Sequence, residues 1–136
     1  ELAGARAARL VPGAGEIVRK IRTAAIKTAL LTRNSREPMQ IVLDKFFDAG
    51  DLFDLAWSRE DAPVKPDPEG ILLTCQRLAV APERTCCVGD YHYDITAAKA
   101  AGTTSVLLAT GKHREFAHEA DHVIESLAEL TEILGI

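Results

Sequence analysis

The sequence predicts an α/β fold: a Rossmann-like parallel sheet with helices on both faces. Short apolar, β-favouring runs alternate with segments of about ten residues whose apolar side chains recur at helical spacing. This alternation is typical of βαβ units, whose crossovers bring the carboxyl ends of the strands to one edge of the sheet. Residues suited to phosphate and metal chemistry follow three of the predicted strands, as expected for a ligand site at that edge.

The first half of the chain contains two predicted strands. A helix over 14–23 places Ile17, Val18 and Ile21 on one face, and Ser35 is suited to cap a later helix that tolerates Pro38 in its first turn. In chain order we expect a helical tail Glu1–Leu10, the helix Ala14–Thr23, a strand Ile26–Leu31, a helix from Ser35 to about Phe46, and a strand Asp54–Ser58.

The second half continues the alternation. Asp67 is suited to cap a helix that Pro68 begins, and Gly102 is suited to end another. We expect helix 68–79, strand Thr85–Val88, a helix from Asp94 to Gly102, strand Thr104–Leu108, a loop containing Gly111, Lys112 and His113, a weak strand Asp121–Ile124, and helix Leu127–Leu134.

Composition limits the class of protein. The chain has 136 residues, of which 47% are hydrophobic and 26% charged, as expected for a single globular domain. It contains no apolar run near the roughly 18 residues of a membrane span and no signal-peptide pattern, so we expect a cytoplasmic protein without membrane partners. Its formal charge of −4 argues against nucleic-acid binding. The three cysteines lack metal-ligand spacing and are interpreted as buried, reduced thiols.

Three chemically different residues follow three predicted strands. Thr32, with the backbone N–H groups of Arg33 and Asn34, is suited to phosphate oxygens, and Lys65 supplies a compact positive charge. Asp90 follows the third of these strands. Each has an alternative interpretation, since Thr32 fits an ordinary turn and Lys65 a solvated loop. Their convergence on one edge favours a site for a phosphate monoester.

Asp90 and Asp94 form a pair of carboxylates at a strand-to-helix turn, directly after Gly89. Such a pair suits Mg²⁺, which binds through one or two carboxylates and completes its octahedron with water and substrate phosphate. The alternative is that Asp94 only caps the helix and Asp90 is a solvated turn residue.

Three segments resemble motifs of the haloacid dehalogenase superfamily, in its phosphoglycolate phosphatase-like branch. They are Leu30-Leu31-Thr32-Arg33-Asn34-Ser35, Lys65-Pro66-Asp67-Pro68-Glu69-Gly70 and Val88-Gly89-Asp90-Tyr91-His92-Tyr93-Asp94. The resemblance implies that Thr32 and the backbone at Arg33 bind the transferring phosphoryl group. It also implies that Lys65 neutralises charge beside the nucleophile, that Asp90 ligates Mg²⁺ and that Asp94 completes or orients the metal shell.

One family motif, an apolar strand ending in Asp-x-Asp-x-Thr, is absent from these residues. In the family its first aspartate attacks phosphorus and its second serves as acid and base. The motif would lie on a central strand between the strands that end at Leu31 and Val88. We therefore expect that residues 1–136 are a C-terminal core fragment, in which 1–11 return from an absent strand and cap. The two strands would then pair directly, recruit a strand or leave edges that favour aggregation.

The leading hypothesis is a Mg²⁺-dependent phosphatase that hydrolyses a small phosphorylated metabolite, such as phosphoglycolate, through an aspartyl-phosphate, with the nucleophile supplied upstream. A sugar-phosphate mutase is the alternative within the family, and a dehalogenase is disfavoured by the paired acids. A non-catalytic phosphate-binding or interaction module is the alternative outside enzymes. No pattern in the sequence indicates an oligomeric state.

Overall fold

A computed structural model describes residues 13–46, 53–109 and 114–136. The expected helical tail Glu1–Leu10 and the expected loop at 111–113 lie outside these ranges. Within them, no helix has the length and apolar character needed to cross a membrane.

Helices and strands alternate along the described chain. The strands are β1 (Ala29–Leu31), β2 (Leu55–Trp57), β3 (Cys86–Gly89), β4 (Thr104–Leu108) and β5 (His122–Ile124). The helices are α1 (Ala14–Thr23), α2 (Arg36–Phe46), α3 (Glu69–Leu78), α4 (His92–Ala101) and α5 (Leu130–Leu134), and short 3₁₀ turns lie at Pro82–Arg84, Arg114–Glu119 and Leu127–Glu129.

Several predicted bounds were wrong. The helix predicted from Asp94 begins at His92, because Asp94 is the third residue of its first turn and accepts the Tyr91 N–H. The strand predicted from Ile26 begins at Ala29, because the Ile26 N–H bonds to the Ile21 carbonyl and so still belongs to the end of α1. The helix predicted over 127–134 begins as a 3₁₀ turn, since the Glu129 carboxylate accepts the N–H of Ser126 and tightens the first turn.

The strands form two parallel sheets, β2-β1 and β3-β4-β5. The predicted α/β fold is therefore confirmed. In the described residues β1 and β3 do not pair with each other. We call the space between them the slot, and its position is the one expected for the absent central strand.

The slot affects how far the side chains of β3 are buried. Val88 of β3 pairs with Val106 of β4, yet Val88 is 38% exposed and Val106 is 2% exposed. Of the three predicted outcomes, direct pairing of β1 with β3 is wrong for the described residues.

Helices on both faces hold the two sheets together. On one face Leu31 of β1 and Cys87 of β3 pack against the same cluster from α3 and α4, which includes Ile71 and Ala97. On the other face Val18 of α1 packs against both remaining clusters. One is built on α2 and contacts β1 and β2, and the other is built on α1, β4, β5 and α5 and contacts β3. The slot is thus bounded by helices that contact both of its sides.

Candidate functional site

Thr32 lies at the carboxyl end of β1, where the backbone changes direction. Its N–H continues the parallel ladder by donating to the Trp57 carbonyl at 3.1 Å. Its hydroxyl accepts the Asn34 N–H at 3.1 Å, and the Asn34 carbonyl accepts the Arg59 N–H at 2.9 Å. The loop after β1 is therefore fixed to the loop after β2, with Thr32 half-buried between them.

Lys65 connects the two sides of the slot. Its Nζ donates to the Leu31 carbonyl of β1 at 3.3 Å and lies 2.6 Å from Asp94 Oδ1 at the start of α4. The side chains are 20% and 15% exposed, so solvent screens this ion pair less than a surface pair. The pair brings the loops after β1, β2 and β3 to one edge, which is the convergence that the sequence predicts.

Asp94 has both carboxylate oxygens engaged. Oδ1 faces Lys65, and Oδ2 accepts the N–H groups of Asp90 at 3.1 Å and Tyr91 at 3.2 Å. The carboxylate lies directly against the Cα of Gly89, where a Cβ atom would overlap it. Gly89 is thus needed for close approach, and Asp94 organises the turn that carries Asp90.

Asp90 is exposed, and within the described ranges its carboxylate has no hydrogen-bond or ion-pair partner. The described residues contain no cluster of three or more His, Cys, Asp or Glu that could enclose a metal. The donor set fits Mg²⁺, which uses few carboxylates and keeps water and phosphate oxygens as its other ligands. Asp90 would bind the ion directly, and Asp94, already committed to Lys65 and two N–H groups, would hold Asp90 in place.

Aromatic residues follow Asp90 and were not singled out from the sequence. The Tyr93 ring lies under the Arg33 guanidinium, with Cζ 4.3 Å from the ring centroid. Tyr91 makes edge contacts with Tyr93 and with Phe116. Their position between Asp90 and Asp94 was the available signal, because residues within a site-forming turn share its edge.

His92 is half-buried and stacks on Phe116 with centroids 4.6 Å apart, and its Nε2 lies 3.2 Å from Glu119 Oε2. These contacts attach the 3₁₀ turn Arg114–Glu119 to the start of α4.

A second set of polar contacts supports the loop after β1. Asp61 Oδ1 accepts Arg36 Nη2 at 2.8 Å, and Asp61 Oδ2 accepts the backbone N–H and the hydroxyl of the buried Ser58. The hydrogen bond from the Ser58 N–H has the largest effect on Asp61, and the Arg36 guanidinium the next largest; both hold the pKa of Asp61 below its usual value. This network fixes the beginning of α2 to the loop that leads to Lys65.

The three cysteines are free thiols. Cys75 is buried, whereas Cys86 and Cys87 are half-buried. Burial raises the pKa of both Cys86 and Cys87, so their thiols are less reactive than exposed ones.

The sequence is similar to a known family of hydrolases. Residues 1–102 match the family model described as haloacid dehalogenase-like hydrolase. The chain is 31% identical over 124 residues to pyrophosphatase PpaX of Bacillus mycoides, covering 88% of this chain and 57% of that protein. It is 32% identical over 131 residues to phosphoglycolate phosphatase of Salmonella paratyphi A, covering 93% and 52%. The chain spans just over half the length of these relatives.

Solved structures show the same arrangement. The HAD phosphatase of Thermococcus onnurineus superposes with a TM-score of 0.87 at 28% identity, over 98% of this chain and 61% of that one. A β-phosphoglucomutase of Clostridium difficile superposes with a TM-score of 0.73 at 24% identity, over 89% and 52%, and so shows the fold alone. Because the first superposition covers nearly the whole chain, both sheets match that phosphatase together.

Proposed function

This chain belongs to the haloacid dehalogenase-like hydrolases, and we propose that it forms the phosphate- and metal-binding part of a Mg²⁺-dependent phosphatase. The observation that carries the proposal is the 2.6 Å ion pair between Lys65 and Asp94, because it joins the loops after β1, β2 and β3 at one edge. The substrate class is a small phosphate monoester, with phosphoglycolate as the leading candidate.

The residues present would bind and neutralise the phosphoryl group. The Thr32 hydroxyl and the backbone N–H of Arg33 would donate to phosphoryl oxygens. The Asn34 N–H, also predicted to bind phosphate, is bonded to the Thr32 hydroxyl and so holds the loop instead. Lys65 Nζ, already positioned by the Leu31 carbonyl, would offset negative charge on the phosphoryl group. Mg²⁺ held by Asp90 would polarise the phosphoryl oxygens.

The nucleophile is proposed to come from a segment that fills the slot. An aspartate oxygen there would form a bond to phosphorus while the ester oxygen leaves and takes a proton from a second acid. Water, giving a proton to that second group, would then attack phosphorus, which breaks the bond between phosphorus and the aspartate oxygen and releases inorganic phosphate. The carboxyl end of the slot lies between Leu31 and Gly89, beside Lys65, so an aspartate that ends a strand there would face the proposed phosphate site.

Two relatives support the choice of substrate. One carries the name phosphoglycolate phosphatase and the other the name pyrophosphatase. Both names describe hydrolysis of small phosphate compounds, and we propose the same class for the protein that contains this chain.

The test is turnover by the full-length protein with p-nitrophenyl phosphate and phosphoglycolate, with Mg²⁺ and with EDTA. We expect Mg²⁺-dependent release of phosphate, and Asp90→Asn should lower it by about two orders of magnitude. Asp44→Asn is the matched control, because Asp44 is exposed on α2 and bonds only to Gln40 in the described residues.

The alternatives give different results. Undiminished turnover in Asp90→Asn would remove Asp90 from the metal site. Interconversion of sugar phosphates without release of phosphate would indicate a mutase. Phosphate binding without any turnover would indicate a non-catalytic module.

A further inference from the structure

The contact between Arg33 and Tyr93 crosses the carboxyl end of the slot. Arg33 directly follows Thr32 on the β1 side, and Tyr93 directly precedes Asp94 on the β3 side. With Cζ 4.3 Å from the ring centroid, the guanidinium lies over the ring. It is therefore held at the edge where Thr32, Lys65 and Asp94 converge.

The charge of Arg33 is not neutralised by a carboxylate of the described residues. Arg36, three residues later, is paired with Asp61 at 2.8 Å, whereas no described acid lies within ion-pair distance of Arg33. Three acids around this edge have other partners: Asp61 holds Ser58 and Arg36, Asp94 holds Lys65, and Glu119 faces His92. Asp90, the proposed metal ligand, forms no ion pair with Arg33. Arg33 is also exposed, so solutes can reach it.

A guanidinium in this position is suited to bind an anion. An aromatic ring attracts its face, while the N–H donors lie at its edge and form a fork that matches a carboxylate. The ring also restricts the side chain before a ligand arrives, which lowers the entropy cost of binding.

We infer that Arg33 is a specificity-determining residue that binds a second anionic group of the substrate, a carboxylate close to the phosphate ester. This rests on the proposed function, because Thr32 and Lys65 must hold the phosphoryl group. The preferred substrates would then be short phosphate esters that carry a carboxylate, rather than neutral phosphate esters. Tyr93 is the positioning residue that supports the guanidinium.

The test compares phosphoglycolate with ethyl phosphate, which has the same carbon count but no carboxylate, in the full-length protein. The measured quantity is the ratio of kcat/KM for the two substrates. Arg33→Gln should lower that ratio about 10- to 100-fold, as expected for the loss of a charge-assisted pair. Arg33→Lys should keep part of the ratio, because charge remains but the fork is lost.

Further variants distinguish binding of the carboxylate by Arg33 from support of the guanidinium by Tyr93. Tyr93→Leu should lower the ratio less than Arg33→Gln, mainly through KM, and Tyr93→Phe should restore it, because Phe keeps the ring. Arg77→Gln, an exposed arginine near the C-terminal end of α3, is the matched control and should leave the ratio unchanged.

Three results decide the question. If Arg33→Gln lowers kcat/KM equally for both substrates, or for neither, Arg33 does not recognise the carboxylate and the inference is wrong. If the wild-type protein hydrolyses neither substrate with Mg²⁺, the proposed function fails. The affinities of the same two compounds, measured by calorimetry, then show whether Arg33 binds a carboxylate. The inference requires that phosphoglycolate binds more tightly than ethyl phosphate and that Arg33→Gln removes the difference; equal affinities in the wild type overturn it.

Discussion

At the scale of single residues, the site depends on how Asp94 is used. Its two oxygens hold one ammonium group and two backbone N–H groups, so the carboxylate is both the partner of Lys65 and the support of the Asp90 turn. This arrangement needs the close approach of Asp94 to Gly89, which leaves no space for a side chain. A change at residue 89 therefore acts on the charge arrangement of the whole edge.

We expect Gly89→Ala to destabilise the full-length protein by about 1–3 kcal/mol, because the new methyl group must displace the Asp94 carboxylate. The Lys65 ion pair would be lost with it, so turnover should fall by more than the loss of folded protein explains. Urea unfolding and kcat/KM on the folded fraction measure the two effects.

The matched control is Gly15→Ala in α1. A Cβ atom there meets only the end of the flexible Arg19 side chain, and alanine favours the helix. We expect a gain between zero and about 1 kcal/mol. Equal destabilisation by the two substitutions would contradict the role assigned to Gly89.

Sequence spacing predicts which residues reach the edge, but not their partners. Thr32, Lys65 and Asp94 could be placed together because strand ends converge, whereas the contact of Arg33 with Tyr93 depends on side-chain conformations across the slot. Ser58 was predicted only as the end of a strand. Its burial with Asp61 arises from a turn geometry that the local sequence does not specify.

At the scale of secondary structure, the ends of β4 and β5 are joined by a reciprocal pair. Asp121 Oδ2 accepts the N–H of Ser105 at 2.8 Å and its hydroxyl at 3.1 Å, and Ser105 Oγ accepts the Asp121 N–H at 2.9 Å. Ser105 is 1% exposed. The contact thus satisfies a buried hydroxyl and sets where β5 begins.

This pair should contribute to acid sensitivity. The hydrogen bond from the Ser105 N–H, and after it the one from the Ser105 hydroxyl, holds the pKa of Asp121 below its ordinary value of 3.8. The contribution of Asp121 to the free energy of unfolding is therefore complete above pH 3.8 and is lost as pH falls through the lower pKa of the folded state. We expect Asp121→Asn to lower stability at neutral pH and to flatten the fall in stability below about pH 4.

Urea midpoints measured from pH 7 down to pH 3 provide the test. Asp44→Asn, exposed on α2, serves as the control and should keep the wild-type dependence on pH. An Asp121→Asn curve parallel to that of the wild type would show that the pair does not couple folding to this proton.

The bounds of a strand could be predicted where both of its faces are buried, and those of a helix where a neighbouring residue in the sequence caps it. β4 matched its predicted range because Val106, Leu107 and Leu108 are buried on both faces and form a continuous apolar run. β1 was predicted too long because Ile26 looks like a strand residue, although tertiary packing assigns it to the end of α1.

At the scale of the whole molecule, the slot separates two hydrogen-bond ladders that share three helices. The sequence predicted this gap, because the motif-bearing strand was absent while its neighbours were present. The exposure of Val88 beside the buried Val106 is its clearest sign. Unpaired edges of this kind invite strand addition from another chain.

We expect the 136-residue chain alone to show no phosphatase turnover and to self-associate as its concentration rises. Val88→Lys should reduce the association, because a charge on an edge strand opposes pairing. Leu72→Lys is the control, since Leu72 is similarly exposed, at 41%, but lies on α3. Analytical ultracentrifugation gives the masses, and equal effects of the two lysines would argue against pairing through the slot.

The shared helices also bear on cooperativity. β1 and β2 are joined to β3, β4 and β5 by side-chain packing and the Lys65 ion pair, without backbone bonds between β1 and β3 in the described residues. Local opening can then release the two-stranded ladder while the three-stranded ladder stays closed, and amide exchange would be faster in β1 and β2. Thr32 follows the two-stranded ladder and Asp90 the three-stranded one, so the proposed phosphate site would be complete only while both are closed. A strand in the slot would merge them into one cooperative unit.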